Sequence, residues 1–129
     1  MRIEHIAIWA DDLEKLKDFY VKYFAAAAGD KYINQDKNFE SYFLSFEQGC
    51  RLEIMHQPSI PKNQNDTVEQ YRGLIHFAIS VGDKSKVLEL TEELREDGYE
   101  IVDEPRRTGD GYFESVILAP ESNRMGITA

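Results

Sequence analysis

The sequence predicts an α+β fold built from two tandem βαβββ units, and three observations predict it. The order strand, helix, three strands runs through the chain twice. His5-Ile6-Ala7-Ile8 returns 71 residues later as His76-Phe77-Ala78-Ile79. Arg51-Leu52-Glu53-Ile54 returns 73 residues later as Arg124-Met125-Gly126-Ile127, so the two halves differ by two residues in length. An internal duplication is the simplest account of all three. At 129 residues the chain is expected to form one domain, with repeat 1 over about 2–56, a linker at 57–72 and repeat 2 over about 73–129.

In the first half, residues 2–9 alternate. Ile3, His5, Ala7 and Trp9 fall on one face, and Glu4, Ile6 and Ile8 on the other, the period-2 signature of a strand. Asp11-Asp12 supplies an N-cap and an acidic first turn for a helix whose Leu13, Leu16, Tyr20, Tyr23 and Phe24 follow helical spacing. That helix is expected to run through Ala25 to Ala28 and stop at Gly29. Strands follow at 31–34, 39–46 and 50–55, the last two joined by a Glu47-Gln48-Gly49 hairpin turn.

Between Gln57 and Gln70 the chain carries Pro58, Pro61, Asn63, Asn65 and Asp66 with little apolar content, which reads as a linker. The order then restarts with an alternating strand over 74–81. Gly82-Asp83 opens a second helix with Val87, Leu88, Thr91 and Leu94 on its inner side, and Gly98 ends it. Strands are expected at 99–102, 112–118 and 124–128, with a Pro120-Glu121-Ser122-Asn123 turn before the last.

Composition narrows the function classes. A formal charge of -9, with Arg106-Arg107 the only adjacent basic pair, opposes a nucleic-acid partner. Apolar runs are too short for a membrane span, and the start at Met1-Arg2-Ile3 lacks a secretory pattern, so a cytoplasmic location is expected. Cys50 is a single cysteine without a CxxC partner and reads as a core thiol.

His5 and His76 occupy equivalent places in the two units, each opposite an apolar stripe, and Glu53 points away from the apolar side of its strand, flanked by Leu52 and Ile54. A lone strand histidine is usually hydrogen-bonded or solvent-facing. The duplicated pair with a carboxylate favours a metal site instead. Two imidazoles and a carboxylate suit Zn²⁺, Ni²⁺, Co²⁺, Mn²⁺ or Fe²⁺ and leave coordination positions for substrate. His56, with no counterpart in the other half, reads as a surface residue.

The run His5-Ile6-Ala7-Ile8-Trp9-Ala10-Asp11-Asp12-Leu13-Glu14-Lys15-Leu16-Lys17-Asp18-Phe19-Tyr20 resembles the opening of vicinal oxygen chelate proteins, the superfamily of glyoxalase I, bleomycin resistance proteins and extradiol dioxygenases. Arg51-Leu52-Glu53-Ile54-Met55, Gly73-Leu74-Ile75-His76-Phe77-Ala78 and Pro120-Glu121-Ser122-Asn123-Arg124 resemble its other marks, so the likeness covers essentially the whole chain. It implies an open, cup-shaped β-sheet barrel with helices outside. It also implies metal ligands from the first and last strand of each unit, here His5, Glu53, His76 and residue 126. Residue 126 is Gly, where the resembled motif ends Asn-Arg-x-Glu. In glyoxalase I that glutamate is both ligand and base, and the dioxygenase and fosfomycin-resistance branches use it too.

The resemblance therefore implies a metal-dependent glyoxalase-like enzyme of lyase or isomerase type, acting on a small substrate with neighbouring oxygens and limited by Gly126. Glu114, on the 112–118 strand, is the candidate substitute base, with a solvated strand carboxylate as its plainer reading. A homodimer is expected, because related small chains complete their sites across such an interface. Two alternatives stand: an extradiol-dioxygenase-like enzyme, and a bleomycin-resistance-like binding protein using aromatic walls drawn from Trp9, Tyr42, Phe43, Tyr112 and Phe113. A ferredoxin-like dimeric barrel is a rival fold that leaves the extra strand of each half unexplained.

Overall fold

A computed structural model describes residues 1–64 and 66–129; Asn65, which the sequence assigns to the linker, lies outside the described residues. The chain divides into two compact units, Met1–Asn63 and Gln64–Ala129.

In the first unit β1 (His5–Trp9) leads into α1 (Leu13–Phe24). Asp12 caps α1 by accepting a hydrogen bond from the Lys15 backbone N–H at 2.9 Å. The helix ends earlier than its alanine run suggests, which corrects the expected stop at Gly29. Ala25 turns left-handed (φ 51°) and the Ala26 N–H closes back onto the Tyr20 carbonyl. The freed residues Ala27–Ala28 become β2, and Gly29 bonds to the Phe43 carbonyl instead of capping anything. β3 (Tyr32–Asn34), β4 (Phe39–Ser45) and β5 (Arg51–His56) follow.

The sheet order is β1-β5-β4-β2, with β3 also on β4. Gly29 meets Phe43 and Tyr32 meets Ser41, so β2 and β3 form one edge interrupted by a bulge of one residue. β1 and β5 are parallel, placing Ala7 beside Glu53, and α1 covers the opposite face. There Leu16, Phe19, Tyr20, Leu44, Leu52 and Ile54 are buried.

The second unit repeats the plan: β6 (Phe77–Ser80), α2 (Lys84–Glu96), β7 (Ile101–Arg107), β8 (Phe113–Ala119) and β9 (Asn123–Thr128), in sheet order β6-β9-β8-β7. β6 and β9 are parallel with Ala78 beside Gly126, the register that sets Ala7 beside Glu53 in the first unit. The duplication read from sequence is thus a duplication of strand register. β7 carries register shifts, as the corresponding edge of the first unit does. Leu90 is buried on α2 with Val87, Thr91 and Leu94, whereas Leu88, expected inside, is exposed. The α+β class and the repeated order agree with the sequence. Among the described residues no strand pairing joins the two sheets, so they are not closed into a barrel. No helix among the described residues is long and apolar enough to cross a membrane.

Candidate functional site

The first unit gathers two of the predicted site residues. β1 and β5 run side by side with His5 opposite Arg51 and Ala7 opposite Glu53, so His5, Glu53 and Arg51 share the sheet face turned away from α1. His5 Nε2 stands 3.7 Å from Glu53 Oε2. Two donors bound at about 2.0–2.2 Å to one tetrahedral ion are separated by roughly 3.4 Å. The pair therefore fits half of a divalent cation's coordination shell.

The other ring nitrogen is also occupied. His5 Nδ1 lies 2.5 Å from Glu4 Oε2, while Arg51 holds Glu4 Oε1 through Nε at 2.8 Å and Nη2 at 2.5 Å. The hydrogen bond from His5, then that from Arg51, keeps the Glu4 carboxyl below its ordinary range. Phe43 forms the floor. It meets the His5 ring edge-on at 5.5 Å and carries the Arg51 guanidinium 4.0 Å above its centre.

Sequence reasoning placed Glu4 on the opposite strand face and gave Arg51 no role. The regular strand begins only at His5, so the alternation does not extend to Glu4. An acid directly before the histidine was the available signal.

The second unit holds His76, Gly126 and Glu114. His76 is exposed and sits immediately before β6, not inside it, because pairing with β9 starts at Phe77 and Leu74 lies open to solvent. Gly126 is buried in β9. A Cβ there would stand 3.0 Å from the Ala78 Cβ and 3.6 Å from Glu114 Oε2. Glu114 lies on β8, opposite Thr128 of β9 and Arg106 of β7; the Arg106 guanidinium is raised chiefly by its hydrogen bonds to Asp103, with only a lesser contribution from the Glu114 charge. Its carboxylate thus borders the space that a side chain at 126 would enter. Among the described residues no three His, Cys, Asp or Glu side chains gather as a complete metal cage.

His56 is not a free surface residue. It is half-buried, and its Nδ1 bonds the Ala10 carbonyl at 2.9 Å, tying the end of β5 to the chain leaving β1. Cys50 is half-buried, short of the core position expected for it.

Of the proposed aromatic walls, Trp9 and Phe43 lie on the His5 face. Tyr42 points the other way and donates to Glu14 on α1, and Phe113 lies beneath Lys84 at the start of α2. Phe39, unassigned by the sequence, extends the Trp9 side: its ring is 6.0 Å from Trp9 and 6.1 Å from Tyr32.

The chain matches the glyoxalase/bleomycin resistance protein/dioxygenase superfamily over residues 2–127. It is 33% identical over 106 residues to the uncharacterized protein YwkD of Bacillus subtilis (strain 168), covering 82% of this chain and 77% of that one. Among solved structures it is similar to a V278E mutant of glyoxalase I from Zea mays, with TM-score 0.78 and 22% identity over 98% of this chain. It spans 44% of that maize protein. It is also similar to the trypanothione-dependent glyoxalase I of Leishmania major, with TM-score 0.78 and 21% identity over 98% of this chain and 85% of the other. A glyoxalase family protein of Enterococcus faecalis gives TM-score 0.77 and 22% identity, covering 99% and 97%.

Proposed function

Because the chain belongs to the glyoxalase/bleomycin resistance protein/dioxygenase superfamily, we propose that it is a metal-dependent, glyoxalase-like enzyme that enolises a small substrate with neighbouring oxygens, a lyase- or isomerase-type reaction. The observation that carries the reading is the His5 and Glu53 pair, an imidazole nitrogen and a carboxylate oxygen 3.7 Å apart on adjacent parallel strands. With His76 they are the residues that would hold Zn²⁺, Ni²⁺, Co²⁺, Mn²⁺ or Fe²⁺, in one chain or across a homodimer. Such an ion, when bound, acts as a Lewis acid toward developing enolate charge. A cytoplasmic location goes with this reading.

Gly126 supplies no carboxylate, and Glu114 is the residue that takes over as proton carrier. Its carboxylate accepts the carbon-bound proton and returns it to the neighbouring carbon, so the carboxylate is regenerated in each cycle. Solvent-deuterium incorporation into the hemithioacetal of methylglyoxal and glutathione tests this, with wild type and Glu114→Gln each loaded with Ni²⁺, Zn²⁺ or Mn²⁺. Wild type is expected to exchange slowly and Glu114→Gln about 10²–10⁴-fold more slowly. Equal rates would remove Glu114 from the chemistry.

Exchange with none of the three metals would favour a second reading, a small-molecule or antibiotic binding protein without catalysis. The partly exposed Trp9 and its edge-on contact with Phe39 support that reading, since such rings form a wall for a flat ligand.

A further inference from the structure

We infer that Glu4, itself held by Arg51, is a positioning residue that fixes His5 in its Nδ1–H tautomer and turns the Nε2 lone pair toward Glu53. The inference rests on the metal-binding reading above and is confined to the first unit.

An ionised carboxylate only accepts, so the 2.5 Å contact between His5 Nδ1 and Glu4 Oε2 requires the proton to sit on Nδ1. In the neutral ring Nε2 then carries the lone pair, and Nε2 is the atom 3.7 Å from Glu53 Oε2. The opposite tautomer would aim an N–H at Glu53 and leave the ring unable to bind a cation there.

The carboxylate is not free to turn away. Its other oxygen takes both Arg51 hydrogen bonds, and Arg51 is fixed by three further features: its place opposite His5 in the strand register, the bond from its N–H to the Glu4 carbonyl at 3.0 Å, and its stacking on Phe43. The same ring supports the edge of His5. A histidine ligand whose second nitrogen is held by a carboxylate is oriented and made more basic.

The second unit lacks this device, which argues against its being a by-product of the fold. Ile75 occupies the place equivalent to Glu4, and Arg124, equivalent to Arg51, donates from Nη2 to the Thr67 carbonyl.

Nitrogen-resolved NMR of the imidazoles, in the metal-free full chain at about pH 8.5, well above the ordinary imidazole value, tests the inference without relying on activity. Wild-type His5 should show Nδ1 protonated and Nε2 bare. Glu4→Ala should return it to the Nε2–H form that dominates a free imidazole. Glu4→Gln, whose amide oxygen still accepts, should keep most of the Nδ1–H form. Calorimetric titration with Zn²⁺ should show affinity reduced about 10–100-fold in Glu4→Ala and less in Glu4→Gln.

A wild-type His5 protonated on Nε2, or a tautomer unchanged in Glu4→Ala, would overturn the inference whatever the metal data show. A locked tautomer in a wild-type protein that takes up no Zn²⁺ would leave the lock standing and overturn the metal-binding reading instead.

Discussion

Position 126 shows how much one missing side chain can decide. The family resemblance draws attention to the glycine there. What it does not convey is how near β6 lies: a Cβ at 126 would stand only 3.0 Å from that of Ala78. Introducing a glutamate there is therefore not simply the addition of a ligand. We expect Gly126→Ala to cost about 1–3 kcal/mol by overpacking, read as a lower urea midpoint, and Ala78→Gly in the same chain to recover most of it. A full-cost double variant would mean that the crowding lies elsewhere. Gly126→Glu is expected to tighten metal binding only in the Ala78→Gly background, where Glu114 and the new carboxylate must then share one space. Glu4 gives the converse lesson. Its residue type was visible beside His5, but side-chain parity assigned it to the wrong face, because parity holds only inside a regular strand.

Among the elements, the helices were the most legible parts. Asp12 and Asp83 cap where the sequence places caps, each accepting from a backbone N–H three residues on. Spacing also identified most of the buried face, although Leu88 was placed inside where Leu90 belongs: Val87, Leu90, Thr91 and Leu94 follow the i, i+3, i+4, i+7 spacing, which Leu88 does not. The end of α1 was misread for a different reason: an alanine run signals helix by propensity, and the pairing of Ala27 and Ala28 with β4 overrides it.

Two tests belong to this scale. Thr91 donates to the Val87 carbonyl at 2.6 Å and meets the Ser115 hydroxyl at 2.7 Å, joining α2 to β8 in the buried interior. Thr91→Val should cost about 1–3 kcal/mol by leaving Ser115 without its partner, and Ser115→Ala added to it should return part of that loss. An additive double variant in denaturant melts would contradict the coupling.

Glu14 joins α1 to the first sheet through Tyr42 and Lys31, and also pairs with Lys17 one turn along the helix. Hydrogen bonding, first from Lys17 and then from Tyr42, lowers its carboxyl from 4.5 to about 2. A depressed folded-state value contributes stability that is present above about pH 4.5 and lost as pH falls toward about 2. The side chain is half exposed, so solvent screening holds the gain to at most about 1 kcal/mol. Urea midpoints of wild type and Glu14→Gln should differ at pH 7 and converge near pH 2. A constant difference would assign the effect to packing.

For the whole molecule, the sequence conveyed the repeat because duplication leaves matching residues at matching places, and strand register then preserves them, as Ala7 beside Glu53 and Ala78 beside Gly126 show. The boundaries of β6 and β7 were less legible. A strand's length depends on how far its neighbour runs beside it, and no single segment encodes that. Among the described residues β1 and β6 each pair with one neighbour only, leaving a strand edge to be covered, and this supports the homodimer proposed for the chain. Light scattering at micromolar concentration should give twice the chain mass; a uniform monomer would contradict the dimer.

The proposed function requires His5, Glu53 and His76 to bind one divalent ion. Its most direct test is metal content and affinity of the purified full chain, by elemental analysis and Zn²⁺ calorimetry, beside His5→Ala, Glu53→Gln and His76→Ala with folding verified by melting. One ion per chain is expected in wild type, with a loss of affinity of at least about tenfold in each variant. A wild type that takes up no divalent metal, or three variants that bind it as wild type does, would contradict it.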